Sequence, residues 1–412
     1  MEDMEVKLKF ITPAFIGGAD NKNTAEFRLP TLKGLLRFWW RAYQDGTGDL
    51  SKLRSDEATK FGSTATKSEI QLYQLGPDPQ WEKSSEIPKL QLVYMGYGPI
   101  GWYVNERMNR YLRPSIKAEQ AVTVGFRLRN GDKKAMSALQ NSLWLLTHLG
   151  GAGSRSRRGF GSLQCTDPVG FDSLPQLEVK ATTVNAFKDE LEAGLQIILP
   201  KPGAGATGST MPAYSCLGTG SAVYVWKKAF PSWKDALEGV GSDFLNWRVN
   251  RPKKQPVGTI PRGDYDLVCG TNGFMDSGKI CLSPGRAAFG LPHNYLSSSR
   301  KASYKLPYRA NFTWNLDGKD KRRASPLLFH VSELAADENQ NIRYCVVLTF
   351  LRSQFLPDGE NIVPTFPEEK LGGKVVFDKV QCDPVPPPDY QAIDDFLSSL
   401  VGDSKVELVK RI

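Results

Sequence analysis

The chain has 412 residues, 40% of them hydrophobic, and its 53 lysine and arginine residues against 44 acidic residues give a formal net charge of +9. This length predicts two domains, the hydrophobic content excludes a disordered chain, and the excess of positive charge favours a polyanionic partner. No apolar run approaches the ~18 residues of a membrane span, and the acidic N-terminus lacks a signal-peptide core, so we expect a cytoplasmic protein without membrane contact. Six cysteines without a CxxC pair and only three histidines indicate thiols in a reducing compartment and argue against a zinc site.

Residues 1–180 alternate between strand-like and helix-like patterns. Val6, Leu8 and Phe10 alternate as in a half-buried strand, and helical spacing of apolar residues follows Thr31, a candidate helix cap. In chain order we predict a strand at 4–12, a helix at 31–44, an insertion at about 45–86, strands at 89–97 and 119–129, a helix at 132–151 capped by Asp132 and ended by glycines, and a strand from 161. This β-α-β-β-α-β order is the ferredoxin-like arrangement, which RNA-recognition modules also use.

Residues 181–412 have a weaker pattern. There we predict strands at 195–200 ("LQIILP"), 325–334 ("SPLLFHVSEL") and 342–357, a tryptophan-bearing helix near 231–249, and a final amphipathic helix at 392–400 after the proline-rich "PVPPPDY". We therefore expect an α+β protein with two ferredoxin-like (RRM-like) domains. The first spans 1–180 with the insertion, and a second, diverged one spans 181–412.

The stretch "HLGGAGSRSRRGFGSL" at 148–163 is rich in glycine and arginine and contains no acidic residue. A dinucleotide-binding fingerprint needs a strand before its glycines and a helix after them, which is the reverse of the order predicted here, and no Lys-Ser or Lys-Thr pair closes a P-loop. No nucleotide cofactor is therefore expected. Glycines let backbone N–H groups approach a phosphodiester, and arginines supply planar donors for phosphate oxygens. The candidate RNA-binding residues are Gly150, Gly151, Gly153, Arg155, Arg157, Arg158 and Gly159; the alternative is a solvated loop that only turns the chain.

The first predicted helix carries Lys33, Arg37 and Arg41 at i,i+4 spacing, with no acid between Glu26 and Asp45. Like charges at this spacing repel, and an anion lying along the face would remove that cost. These three cations are further candidate RNA contacts, against the alternative of an ordinary solvated helix face.

A third basic segment runs from 277 to 316 without an acidic residue and interleaves cations with aromatic rings. Cations for the backbone and rings for the bases are what single-stranded nucleic acid requires. The candidate RNA-binding residues of this segment are Arg286, Tyr295, Arg300, Lys301, Tyr304, Lys305, Tyr308 and Arg309. The alternative is a basic loop whose aromatic residues belong to a core.

Several of these stretches carry a family resemblance. "FITPAFIGGADN", "AEFRLPTLKGLLRFWWRA", "HLGGAGSRSRRGFGSL", "AAFGLPHNY" and "RRASPLLFHV" resemble the RAMP (repeat-associated mysterious protein) superfamily and, within it, the family of the first subunit of the type III-B CRISPR effector, the Cmr complex. The glycine-rich loop marks the superfamily, whereas "RLPTLKGLLRFWWR" and "FGLP…RRASPL" point to this subunit. The resemblance spans roughly residues 5–335.

The resemblance implies two ferredoxin-like domains and a non-catalytic role in a ribonucleoprotein with other RAMP subunits. It implies contact with the 3′ part of a guide RNA and help in capturing target RNA. By matching position, it also implies RNA contacts at the glycine-rich loop 150–161 and at the basic residues of the first helix. Nothing in the resemblance accounts for the stretch 45–86.

Two alternatives stay open. Relatives that cut repeat RNA use a histidine as general acid or base, and His148 is the corresponding candidate; its position at the end of an apolar helix favours a packed or capping histidine instead. Metal-assisted cleavage would use the loop residue Asp20, although aspartate favours turns for local reasons. We expect no enzyme activity and no metal, with a RAMP-type endoribonuclease or a purely structural assembly subunit as the alternatives.

Overall fold

The computed structural model describes residues 3–44, 46, 48–103, 107–171, 174–199, 211–248, 259–270, 273–297, 308–316, 319–371 and 373–412. The chain forms two compact units: unit 1 comprises Met1–Ser242, Leu327–Ser353 and Asp403–Ile412, and unit 2 comprises Asp243–Pro326 and Gln354–Gly402. Within the described ranges, no helix has the length and apolar character needed to cross a membrane.

Unit 1 opens with a four-stranded antiparallel sheet and its helices. The elements are β1 (Asp3–Phe10), α1 (Leu29–Ala42), α2 (Leu50–Phe61), β2 (Ile70–Leu75), β3 (Trp81–Glu82), α3 (Leu90–Met95), β4 (Ile100–Tyr103), β5 (Met108–Tyr111), β6 (Ser115–Ile116), β7 (Ala121–Leu128), α4 (Lys133–Leu149) and β8 (Leu163–Val169). The sheet order is β2-β7-β1-β8, and Val6 of β1 faces Val124 of β7. Because alternate residues of β1 point to one face, Val6, Leu8 and Phe10 enter the core, as predicted.

Three sequence predictions for this region were wrong. The run 89–97 holds the helix α3, not a strand, and Leu92, Val93 and Met95 are its buried residues, since a short apolar run fits either structure. The helix α1 begins at Leu29 with Arg28 at its N-cap, because Pro30 is favourable in the first helical turn, so Thr31 is not the cap. The stretch 45–86, predicted as an insertion, contributes α2 and the edge strand β2 to the fold, where Leu72 pairs with Phe126 of β7.

The prediction for the helix α4 was confirmed. The Asp132 carboxylate accepts a hydrogen bond from the Lys134 N–H at 2.9 Å, which caps the helix, and Gly150 ends it. The predicted strands at 119–129 and after 161 are β7 and β8. The stretch 150–161 is therefore a connection between a helix and a strand, as the sequence indicated.

The later elements include a second four-stranded sheet in unit 1 and a five-stranded sheet in unit 2. They are α5 (Val184–Ile198), β9 (Ala222–Trp226), α6 (Trp233–Arg248), α7 (Ile260–Cys269), α8 (Phe274–Ser277), β10 (His293–Leu296), β11 (Arg309–Leu316), β12 (Lys319–Lys321), β13 (Leu327–Glu333), β14 (Tyr344–Phe350), β15 (Ile362–Phe366), β16 (Glu369–Leu371), β17 (Lys374–Phe377), β18 (Val380–Gln381), α9 (Gln391–Gly402) and β19 (Val406–Arg411). The predictions of α6, β13, β14 and α9 were confirmed. The predicted strand at 195–200 was wrong, because Leu195 and Ile198 continue the buried stripe of the helix α5.

The second sheet of unit 1 is antiparallel in the order β13-β14-β9-β19. Its central strand β9 is covered on both faces, since every one of its residues is buried. In unit 2, the antiparallel order is β10-β11-β15-β18, with β12 beside β11. A core of aromatic rings lies against that sheet, and Phe274 and Phe366 stack with ring centroids 4.3 Å apart.

Candidate nucleic-acid interface

The glycine-arginine loop, Gly150–Gly161, is fastened to the segment that follows β1. Ser154 N–H donates to the Phe15 carbonyl at 2.9 Å, Gly161 N–H donates to the Pro13 carbonyl at 2.9 Å, and the Thr12 hydroxyl donates to the Gly159 carbonyl at 2.7 Å. Within the loop, Ala152 N–H donates to the Gly161 carbonyl at 2.8 Å. The backbone therefore has one well-defined path, which fixes where the arginines emerge.

The glycines of this loop serve its internal packing. A Cβ at Gly161 would lie 2.0 Å from the Ala152 carbonyl oxygen, one at Gly153 would lie 2.7 Å from the Phe15 carbonyl oxygen, and one at Gly151 would lie 2.9 Å from the Gly161 carbonyl oxygen. A Cβ at Gly150 would lie 2.4 Å from the Trp39 side chain, and one at Gly159 would lie 2.5 Å from the Leu237 side chain. From the sequence, we predicted that four of these glycines let a phosphate approach the backbone. In the structure, protein atoms occupy the space beside each of the four, Gly150, Gly151, Gly153 and Gly159.

The three arginines each lie over an aromatic ring. The guanidinium carbon is 5.9 Å from the Tyr97 ring centroid for Arg155, 5.3 Å from that of Phe38 for Arg157, and 5.7 Å from that of Phe329 for Arg158. Such contacts orient a guanidinium without neutralising its charge. Arg155 has a left-handed backbone (φ 63°) and is exposed, whereas the other two are half-buried. Arg155 is therefore the cation that the loop presents to solvent.

Two histidines lie beneath the loop. The His148 ring stacks on Trp144 at 4.3 Å and its Nδ1–H donates to the Trp144 carbonyl at 2.9 Å, while the His330 Nδ1–H donates to the Gly150 carbonyl at 2.6 Å. Burial lowers the pKa of His148 to about 3 and that of His330 to about 4, so both are neutral at pH 7. The preferred interpretation of His148 as a packed residue is confirmed, and His330 is likewise buried in the core.

The α1 cations have an acidic partner that the sequence did not reveal. Arg37 Nε and Arg41 Nη1 donate to the same oxygen of Glu57, at 2.6 and 2.7 Å, and Lys33 Nζ donates to the Ser68 hydroxyl at 3.0 Å. Burial raises the pKa of Glu57, but the hydrogen bonds from Arg41 and Arg37 outweigh it, so the net pKa lies below its usual value. The expectation that no acid offsets these charges was wrong, because Glu57 comes from α2, outside the 26–45 window.

In unit 2, part of the basic segment 277–316 also has an acidic partner. Arg286 is only 6% exposed and pairs with Asp264 at 2.9 Å, and the Tyr295 hydroxyl donates to that carboxylate at 3.0 Å. Burial raises the pKa of Tyr295 well above its usual value. The prediction that Arg286 and Tyr295 contact RNA at the surface is contradicted. A buried ion pair and a core ring are not open to a phosphate or a base.

The rest of that segment divides into two groups. Arg309 makes two hydrogen bonds to the Glu369 carboxylate, at 2.8 and 2.7 Å, and lies over the half-buried Tyr308 ring at 5.5 Å. Four further candidates lie outside the described residues: Arg300, Lys301, Tyr304 and Lys305.

The candidate catalytic residues do not form a reactive group. The Asp20 carboxylate accepts hydrogen bonds from the Asn23 side chain at 2.9 Å and from the backbone N–H groups of Lys22 and Asn23, as in a local turn, and these bonds lower its pKa. The third histidine of the chain, His293, was not a candidate; it is buried, with its Nδ1 3.1 Å from Arg248 Nη2. Across the described ranges, no three His, Cys, Asp or Glu side chains are grouped to hold a metal ion.

The sequence patterns did not single out two exposed aromatic residues, one of which lies beside the loop. Tyr97, under Arg155, is 68% exposed, and Trp102 on β4 is 58% exposed. The interval 87–118 contains five cations and a single acid, Glu106, together with five aromatic residues. This mixture of cations and aromatic residues could have identified the segment as a candidate RNA-binding region, but the run 89–97 was interpreted only as a strand.

Comparisons with known proteins agree with the resemblance. The family model of the RAMP superfamily matches residues 7–164. The Cmr subunit Cmr1-2 of the Pyrococcus furiosus CRISPR system is 31% identical over 38% of this chain and 91% of its own length, and Cmr1-1 of the same organism is 24% identical over 86% of this chain and 89% of its own. The crystal structure of apo Cmr1 from that organism, 20% identical, covers 99% of both chains with a TM-score of 0.51, which indicates the same mixed helix-and-sheet fold.

The resemblance seen in the sequence is thus confirmed by an independent match over the same glycine-arginine loop and the helix before it. The chain belongs to the RAMP superfamily, in the Cmr1 family of type III-B CRISPR Cmr subunits.

Proposed function

We propose that this chain is a non-catalytic, RNA-binding subunit of a cytoplasmic type III-B CRISPR ribonucleoprotein. The exposed Arg155, held by a loop whose backbone is fixed through Phe15 and Pro13, is the observation that carries the proposal. A fixed guanidinium suits phosphate oxygens because little side-chain freedom is lost on binding. The net charge of +9 and the family membership support the same function.

The proposed partners are single-stranded guide RNA, through its 3′ part, target RNA, and other RAMP subunits. We further propose two ferredoxin-like domains, at 1–180 and 181–412. The sheet orders β2-β7-β1-β8 and β13-β14-β9-β19 support this division, because each places the first and third strands of a β-α-β-β-α-β unit at the centre.

Phosphate contacts are proposed for Arg155, Arg157 and Arg158. The α1 cations supply a second basic surface, since Glu57 offsets one of their three charges. Tyr308, Arg309 and the candidates Arg300, Lys301, Tyr304 and Lys305 supply a third. Arg286 and Tyr295 are left out because of their burial.

A nuclease activity receives less support from the site. A general base must reach the substrate proton, and His148 is 2% exposed with its Nδ1–H engaged by Trp144. A purely structural role is distinguished by salt, because phosphate contacts weaken steeply with ionic strength and apolar protein interfaces do not.

The test measures binding of the purified chain to single-stranded RNA of mixed sequence over a range of salt concentrations, with and without Mg²⁺. We expect binding without cleavage, and Arg155→Ala should lower the slope of log affinity against log salt by roughly 0.7. Arg129→Ala is the matched control. It is an exposed arginine two residues beyond Arg127, which pairs with Asp3 at the start of β1. The loop, in contrast, is bonded to Pro13 and Phe15, which follow the end of β1. Specific cleavage, or equal slopes for the two variants, would contradict the proposal.

A further inference from the structure

Tyr97, Trp102, Arg113 and Arg155 of unit 1 are named here the Tyr97–Trp102 surface. Tyr97 forms a β-bridge with Ile100, the first residue of β4, and Trp102 lies two residues further along that strand. Arg155 covers the Tyr97 ring at 5.9 Å, and Arg113 Nη1 lies 3.5 Å from the hydroxyl of Ser154 in the loop. Two large rings exposed by 68% and 58% leave much apolar area in water. Exposed apolar area that is rimmed by polar side chains is typical of interaction sites.

Backbone hydrogen bonds tie the segment that carries these rings to the end of α3. Ile100 N–H donates to the Gly96 carbonyl at 2.9 Å and Leu112 N–H donates to the Pro99 carbonyl at 2.7 Å, which closes the β4–β5 hairpin onto the end of α3. Trp102 lies opposite Asn109 in this hairpin. Gly98 has φ +103°, a conformation that glycine adopts without strain, and this turn sets Tyr97 beside Arg155. The backbone that these bonds hold needs no further ordering when a partner stacks on the rings.

The charge around the rings is positive. Arg113 donates to the Asn21 carbonyl at 3.1 Å and to the Ser154 hydroxyl at 3.5 Å, and these neutral partners orient its guanidinium without cancelling its charge. Arg107 is exposed in the same hairpin, and Arg110 lies opposite Gly101. Arginine side chains around exposed rings match a polyanion whose units carry flat aromatic groups, which is the chemistry of single-stranded nucleic acid.

We propose that the Tyr97–Trp102 surface binds unpaired nucleobases of single-stranded RNA by stacking, while Arg113 and Arg155 hold the adjoining phosphates. The inference rests on the proposed RNA-binding function and adds the base-binding part of that site. A double-stranded RNA would not bind in this way, because its bases are already stacked and paired.

The test compares two RNA probes of equal length: a mixed-sequence single strand and an abasic strand with the same phosphates. Trp102→Ala and Tyr97→Ala should each weaken binding of the first probe by roughly 5- to 100-fold, which corresponds to the usual stacking contribution per base. Trp102→Phe and Tyr97→Phe should retain most of the affinity. None of these variants should change binding of the abasic strand or the salt slope, since no phosphate contact is removed.

Trp81→Ala is the matched control, because Trp81 is an exposed tryptophan on β3, outside this surface, and is 43% exposed. Each variant is first checked for a wild-type melting transition. The inference is overturned if the alanine variants bind both probes like the wild type, if they lose both probes equally, or if they bind RNA normally but fail to join a reconstituted Cmr complex, which would identify a protein interface. A wild-type chain that binds neither probe would instead refute the proposed function itself.

Discussion

His330 and Gly150 are joined by a hydrogen bond of 2.6 Å although 180 positions separate them in the chain. The donor lies on β13 in the second sheet of unit 1, and the acceptor carbonyl is at the C-cap of α4, where the glycine-arginine loop begins. The last carbonyl groups of a helix have no partner within the helix, so an outside donor is needed when that end is buried. His330 provides this donor.

Replacing His330 should therefore destabilise the start of the loop. We expect His330→Ala to lower the free energy of unfolding by about 2–3 kcal/mol, because the Gly150 carbonyl loses its donor in a buried position. His330→Asn, which keeps an N–H donor, should recover part of this loss. Urea denaturation of the three proteins measures the difference, and equal stabilities would show that the bond is dispensable.

Acidification should destabilise unit 1 through its buried histidines. The folded pKa values of about 3 for His148 and about 4 for His330 lie below the ordinary 6.5, so the unfolded chain binds more protons between these limits. Stability is therefore fully present above pH ~6.5 and falls as the pH drops towards 4, by about 2 kcal/mol per histidine between pH 7 and pH 5. Urea midpoints at the two pH values check this. A His148→Gln/His330→Asn double variant with an unchanged pH dependence would contradict it.

Substitution of a loop glycine by alanine should destabilise the protein mainly through a steric clash of the new Cβ. Gly161→Ala places a Cβ 2.0 Å from the Ala152 carbonyl oxygen at φ +67°, whereas Gly131→Ala, at the similar φ +63°, meets no atom within 4 Å. Both variants bear the strain of a left-handed backbone, about 1 kcal/mol, and only the first bears the clash. We expect Gly161→Ala to be the less stable by several degrees in melting temperature; matching melting curves for the two would rule out the close approach.

Glu57 should couple energetically to the arginines of α1. Its carboxylate is 9% exposed and accepts from both Arg37 and Arg41, so Glu57→Gln leaves two guanidinium groups without their counter-charge. We expect a loss of about 1–3 kcal/mol, and less than additive losses when Glu57→Gln is combined with Arg37→Ala. A double-mutant cycle read by thermal unfolding gives the coupling. Strict additivity would mean that the pair contributes nothing beyond its separate residues.

Local patterns were enough for several elements. The alternation of Val6, Leu8 and Phe10 identified β1, and the Asp132 cap with the glycine stop bounded α4, because these signals depend only on neighbouring residues. Short apolar runs were ambiguous: Leu90–Met95 is a helix that was predicted as a strand. The edge strand β2 was missed since only Ile70 of its six residues is buried, which leaves no alternating pattern to recognise.

The sequence by itself determined the family, the position of the glycine-arginine loop between a helix and a strand, and the excess of positive charge, because these are properties of residue order and composition. Tertiary structure alone decided which charges remain available, since Glu57, Asp264 and Glu369 reach Arg37, Arg286 and Arg309 from 20, 22 and 60 positions away. It also decided what the loop glycines are for, because the atoms that face them come from Phe15, from the side chains of Trp39 and Leu237, and from the far side of the same loop. Contacts between distant parts of the chain form only once the sheets bring them together, so no reading of neighbouring residues contains them.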